Sequence, residues 1–143
     1  MKAWHKDGAP GEHPEPWGLS GVFTTVRVLT DKKISFFDSH LERLTDSANR
    51  VALPWVPSPE IITTKVEEFL AEMDPDHGLL RICLFKNLIG ISSRPAESDG
   101  KPVEGWLLHY RRPDPVIKST KEKELYGTPV SYTHLTLPTN GLV

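Results

Sequence analysis

Hydrophobic and polar residues alternate most clearly from Val22 onward. Val22, Thr24, Val26 and Val28 fall on one side of an extended chain, and Phe23, Thr25, Arg27 and Leu29 on the other. The Asp31-Lys32-Lys33 corner turns the chain back into residues 34–37, so the pattern predicts a hairpin. Ser39 then caps a helix, with Glu42 three residues on completing a capping box. Leu41, Leu44, Ala48 and Val51 recur at helical spacing and give that helix one buried face. It stops before Pro54, because a residue preceding proline avoids the α region. Ser58-Pro59 opens a second helix, with proline in the first turn where its missing N–H costs little. Ile62, Val66, Phe69, Leu70 and Met73 form its apolar side, and Asp74-Pro75 ends it.

Beyond the helices, residues 79–85 are a β-rich run that is broken near 87–90. Residues 94–102 read as a polar loop and 106–110 as another strand. Residues 1–20 are rich in Gly, Pro and His without a period, and read as an irregular arm. The order ββααββ predicts an α+β domain over residues 21–112, an antiparallel sheet with two helices on one face. Residues 113–129 are a linker or the start of a second domain. The face away from the helices would leave Phe23, Leu29, Leu79 and Phe85 as an exposed apolar patch, an association liability in the isolated chain.

Composition narrows the function classes. A chain of 143 residues suits one domain with its own core. With 38% hydrophobic and 25% charged residues and a net charge of −2, broad binding to nucleic acid or an anionic membrane is disfavoured. The single cysteine, Cys83, cannot form an internal disulfide and suggests a reducing, cytoplasmic setting. No apolar run approaches the ~20 residues that span a bilayer. The six histidines have no metal-ligand spacing, and no P-loop, GxGxxG or nucleophile-elbow pattern occurs.

The segment His40-Leu41-Glu42-Arg43-Leu44, following the Gly21-Val22-Phe23 strand with Arg27-Val28 at its end, carries a resemblance. From Gly21 to Tyr110, and on to Lys118, the chain resembles the small N-terminal domain of the class IV, fold-type IV pyridoxal-phosphate (PLP) enzymes. These include the branched-chain and D-amino-acid aminotransferases and aminodeoxychorismate lyase. The resemblance implies PLP as cofactor and an amino acid, keto acid or aminodeoxychorismate as substrate. It further implies a homodimer at full length and a larger second domain. That domain would bring a glutamate for the pyridine nitrogen and further phosphate donors. Nothing after Lys118 resembles it, so the chain as given is expected to be a truncated, inactive part of such an enzyme. Val130-Ser131-Tyr132-Thr133-His134-Leu135 resembles a translated transposon-end sequencing adapter, so residues 130–143 are expected to be foreign to the native gene.

By the same resemblance Arg43 binds the cofactor phosphate, a role that suits the planar donor fork of a guanidinium. Phe23, Thr25, Arg27 and Arg81 would line the substrate side. Ile117-Lys118-Ser119 matches the context of the family's Schiff-base lysine. Each has a plainer alternative. Arg43 could be a solvated arginine paired with Glu42 or Asp46. Lys118 could belong to a charged linker helix with Lys121, Glu122, Lys123 and Glu124. The whole could be a free-standing, non-catalytic α+β domain that binds an anion or a partner. Two departures from the family stand out: Thr24 occupies a position where many relatives carry glutamate, and no glycine-aspartate pair precedes Gly21.

Overall fold

The computed structural model describes residues 1–14, 20–97, 100–102 and 114–120. Seven elements follow one another: β1 (Lys2–His5), β2 (Pro10–Gly11), β3 (Val22–Arg27), α1 (Phe37–Arg50), α2 (Pro59–Glu72), β4 (Leu79–Leu84) and β5 (Leu88–Arg94). The strands form one five-stranded sheet in the order β2-β1-β5-β4-β3, with every pairing antiparallel. The α+β class and the antiparallel sheet therefore stand as expected.

Period-two alternation divides the sheet into two faces. Val22 and Val26 of β3, Leu80, Ile82 and Leu84 of β4, and Ile89 and Ile91 of β5 turn inward with Trp4 of β1. They meet Leu41, Leu44 and Ala48 of α1 and Ile62, Val66, Phe69 and Leu70 of α2 in one cluster. Removing each such aliphatic side chain from water is worth roughly 1.5–3 kcal/mol, so this cluster dominates folding. Ser58 caps α2 by accepting from the Ile61 amide at 3.4 Å, and Pro59 follows in the first turn. α1 ends at Arg50, and the chain passes through a left-handed Ala52 before Pro54.

Several expected boundaries are corrected. Residues 1–20 are not wholly irregular, because β1 pairs along β5 with Trp4 opposite Ile89 and β2 adds outside it. The break expected near 87–90 falls slightly earlier, where β4 ends at Leu84 and the chain turns over residues 85–87. β5 runs straight through Gly90, whose bare backbone admits the His13 ring where a Cβ would lie 2.8 Å from Nε2. The corner at 31–33 does reverse the chain, with the Leu29 amide donating to Lys33 O at 2.8 Å. Its return limb, however, is a single bridge between Val28 and Ile34 rather than a strand. The Ser39–Glu42 capping box is also absent. α1 begins at Phe37 behind a left-handed Phe36, with no side-chain cap. The strand expected at 106–110 and the foreign segment 130–143 lie outside the described residues.

The face away from the helices is better covered than expected. Phe23 and Phe85 are only 5% and 4% exposed and cluster with Cys83, with Leu88 packed against them. His13 from the N-terminal segment meets Phe85 edge-on. Leu29 remains exposed at 45%.

Phe36 combines a left-handed backbone (φ 54°) with a side chain 82% exposed, so it pays for strain without packing. Phe36→Gly should therefore raise stability by about 0.5–1 kcal/mol after the larger unfolded-state entropy of glycine is counted. Urea unfolding should show a higher midpoint at an unchanged slope; a lower midpoint would mean that Phe36 makes a stabilising contact.

Candidate functional site

β3 is an edge strand, and the candidate residues gather around its free side. Thr24 sits between Val22 and Val26 on the inward face and is fully buried. A hydroxyl there is costly unless it is hydrogen-bonded. Its Oγ1 lies 2.8 Å from His40 Nδ1 and accepts from Arg43 Nη2 at 3.1 Å. Arg43 Nη2 is also 3.3 Å from His40 Nδ1. α1 presents His40 and Arg43 three residues apart, on one face, so a single strand hydroxyl can reach both.

Arg43 is exposed, as the plainer alternative expects, but it is not paired with Glu42 or Asp46. Asp46 is engaged by Arg50 at 2.8 Å, and among the described residues no carboxylate forms an ion pair with Arg43. Its positive charge is held by neutral groups. An open groove of about 490 Å³ runs along the outer side of α1, but Glu42 and Asp46 line it beside Arg43. Those carboxylates make it unsuitable for an anion, so the Thr24 side is the electropositive one.

Lys118 arrives from the other end of the chain. The Lys118 carbonyl accepts from the Phe23 amide at 3.0 Å, and the Thr120 amide donates to Gly21 O at 3.0 Å. Thr120 Oγ1 donates to the same carbonyl at 3.1 Å, and Ser119 bridges Val22. Residues 118–120 thus extend the sheet along the open edge of β3. Lys118 Nζ stands 4.9 Å from the centre of the Phe23 ring, within cation–π range. Arg81 Cζ lies 5.4 Å from the same ring. The charged helical run imagined for 121–124 lies outside the described residues.

The substrate-side residues proposed from the sequence do share the sheet's second face. Thr25 pairs directly with Arg81, Phe23 with Cys83, and Arg27 with Leu79. Phe23 is a covered floor rather than an open wall, and Arg27 is exposed. A small hollow of about 50 Å³ opens among Thr25, Leu79, Arg81, Ser92, Ser93 and Arg94. Liquid water takes about 30 Å³ per molecule, so the hollow has room for one carboxylate-sized group.

Electrostatics follow this geometry. Burial first, then the charges of Arg43 and Lys118, pull the His40 pKa below its ordinary value of 6.5. Burial also lowers His13. The Cys83 thiol is pushed up to about 12 by burial, so it stays protonated and is no nucleophile. Among the described residues no group of His, Cys, Asp or Glu could hold a metal ion, and no helix is long and apolar enough to cross a membrane.

His40 reads from sequence as a helix-start structural residue and Thr24 only as a departure from relatives; the structure places both against Arg43. One signal pointed there: a threonine among inward valines needs a polar partner, and the nearest helix offers a histidine.

The sequence pattern of the amino-transferase class IV family matches residues 21–125. The chain belongs to this family. No curated protein matches it at a significant level. Among solved structures, a protein named "Putative 4-amino-4-deoxychorismate lyase" is 25% identical over 80% of this chain and 51% of its own, with a TM-score of 0.59. A protein of the same name from Legionella pneumophila is 19% identical over 85% of this chain and 52% of its own, at a TM-score of 0.58, and supports the fold alone. The chain thus spans about half the length of these solved proteins.

Class IV aminotransferases and their lyase relatives are PLP-dependent, and the residues present fit that group. A phosphate needs fixed donors and positive charge without competing carboxylates. Arg43 meets this with a guanidinium ordered by Thr24 and His40. Lys118 sets a second cation close enough to lower the pKa of the same histidine.

His40 and His13 both bind protons more weakly in the fold than an unfolded histidine does, so stability should be full above about 6.5 and fall as the pH drops below it. Urea midpoints measured from neutral to mildly acid pH should show this decline. In Arg43→Gln, which removes one of the two charges acting on His40, an NMR titration should place the His40 pKa higher than in the wild type. An unchanged His40 titration would mean that the guanidinium does not act on the ring.

Proposed function

We propose that this chain forms the phosphate-holding and lysine-bearing part of a PLP-dependent transaminase or 4-amino-4-deoxychorismate lyase-like enzyme. The observation that carries the reading is Arg43, a cation ordered by two neutral side chains and, among the described residues, without a carboxylate partner. Such a group is built to receive an anion. A guanidinium remains charged at any physiological pH and matches phosphate oxygens with a planar fork.

PLP, when bound, supplies an electron sink for the carbanion that develops at the α-carbon of an amino acid. Arg43 would hold the cofactor phosphate. Lys118 Nζ would be the reactive amine and the group that takes up and returns the α-proton. The Phe23 ring, 4.9 Å from Nζ, orients the Lys118 side chain. Arg27 and Thr25 of β3, with Arg81 of β4, would receive the substrate carboxylate on the second face. Family membership supports an amino acid, keto acid or aminodeoxychorismate as the class of substrate. A second half, comparable to that of the longer solved proteins, completes the catalytic unit, and the unit works as a homodimer.

Arg43→Ala should weaken PLP binding about 10- to 150-fold, the worth of one charge-assisted hydrogen bond. Arg43→Lys should recover only part, because a point charge cannot reproduce the fork. Affinity is read from cofactor absorbance on titration. Borohydride reduction followed by peptide mass spectrometry should find PLP on Lys118, and no label there in Lys118→Ala. Unchanged affinity in Arg43→Ala would return Arg43 to the surface. Label on a different lysine would make Lys118 a linker residue.

A further inference from the structure

The contact between Thr24 and His40 has a direction, and Arg43 enforces it. A guanidinium nitrogen can only donate. Arg43 Nη2, 3.1 Å away, therefore takes a lone pair of Thr24 Oγ1. Among the described residues His40 Nδ1 is then the hydrogen-bond partner left to receive the hydroxyl's hydrogen, and it can do so only with its single lone pair free of a proton. The neutral ring thus carries its proton on Nε2. The Thr24 hydroxyl, 2.8 Å from Nδ1, donates its hydrogen to the ring while its oxygen accepts from Arg43. Thr24 is fully buried, so no water competes for the hydroxyl.

The geometry points to Thr24 and His40 as positioning residues for Arg43: the Thr24 hydroxyl locks His40 in its neutral Nε2–H form, and the pair aims the guanidinium at an anion beside the edge of β3. This rests on Arg43 being the anion ligand proposed above and adds what orders it. An arginine on a helix surface loses rotamer freedom when it closes on a ligand. Holding it in place beforehand removes part of that cost at binding.

The charged groups facing His40 are Arg43 from its own helix and Lys118 from residues 118–120, while β3 contributes the neutral Thr24. Burial and both cations disfavour the imidazolium, which keeps the ring in the state the arrangement needs.

Two-bond nitrogen–proton NMR on the whole 143-residue chain reads the tautomer of His40 directly. The wild type should show the neutral Nε2–H form. Thr24→Val keeps the shape but removes both the donor and the acceptor. It should shift the ring toward a mixture and weaken inorganic phosphate binding about 5-fold, whereas Thr24→Ser should stay near the wild type in both. An Nδ1–H ring in the wild type overturns the proposal before any variant is made. So does a Thr24→Val chain with unaltered tautomer and phosphate affinity. If Arg43→Ala loses phosphate affinity while Thr24→Val does not, only the positioning role fails. If Arg43→Ala binds phosphate as well as the wild type, the anion role fails first and the positioning role goes with it.

Discussion

Strand β3 is held against β4 with Val22 opposite Leu84 and Arg27 opposite Leu79, and the site depends on that register. Side chains alternate along a strand, so a slip of one residue would move Thr24 to the outer face and Phe23 into the core. The hydroxyl that orders His40 and Arg43 and the ring beneath Lys118 would exchange places, and neither contact would survive. The register is secured from both directions. Val22 and Val26 are fastened to the helices by burial, and Phe23 is closed in with Cys83 and Phe85 on the other side. The aliphatic core and the polar network are therefore two consequences of one pairing.

The open edge of β3 gives this arrangement a reach that an interior strand would not have. Interior strands exchange hydrogen bonds on both sides. β3 has β4 on one side only, and its other side accepts residues 118–120. The edge is thus covered by the chain itself, which also blunts its tendency to recruit a foreign strand. Docking there brings a lysine almost the length of the domain away into the field of His40. The small domain needs no long loop into a cleft, because both faces of the sheet meet at its rim.

Legibility in the sequence varied with how local each determinant is. α2 was readable in full, since its cap, its first-turn proline and its apolar stripe lie within one window. β3 and β4 were readable for the same reason. β5 was not. Gly90 looks like a break when read alone, and its purpose appears only when the His13 ring, far away in sequence, packs where a Cβ would be. β1 was missed because four residues among glycines and prolines carry no period. It is a strand only through its ladder with β5. The false capping box arose from a good local pattern, Ser39 with Glu42, overridden by a chain that enters the helix two residues earlier. At the site, Arg43 could be named through family resemblance, but its partners could not. They come from a strand hydroxyl and a helix face that only tertiary packing brings together.

Charge distribution completes the argument. The whole chain is slightly acidic, yet the region around Thr24 is positive. Four acidic side chains are engaged elsewhere, Glu72 with Lys2, Asp31 with Lys33, Asp46 with Arg50 and Glu68 with Lys65, while Glu42 lines the outer groove beside Arg43. Exposed pairs of this kind contribute little to stability, typically under ~1 kcal/mol. Their value lies in what they leave undone. With Asp46 turned one helical turn along to Arg50, that carboxylate does not close over Arg43. Threonine at position 24 meets its burial with a neutral hydroxyl, hydrogen-bonded to both His40 and Arg43, so the strand adds no charge that would offset the guanidinium.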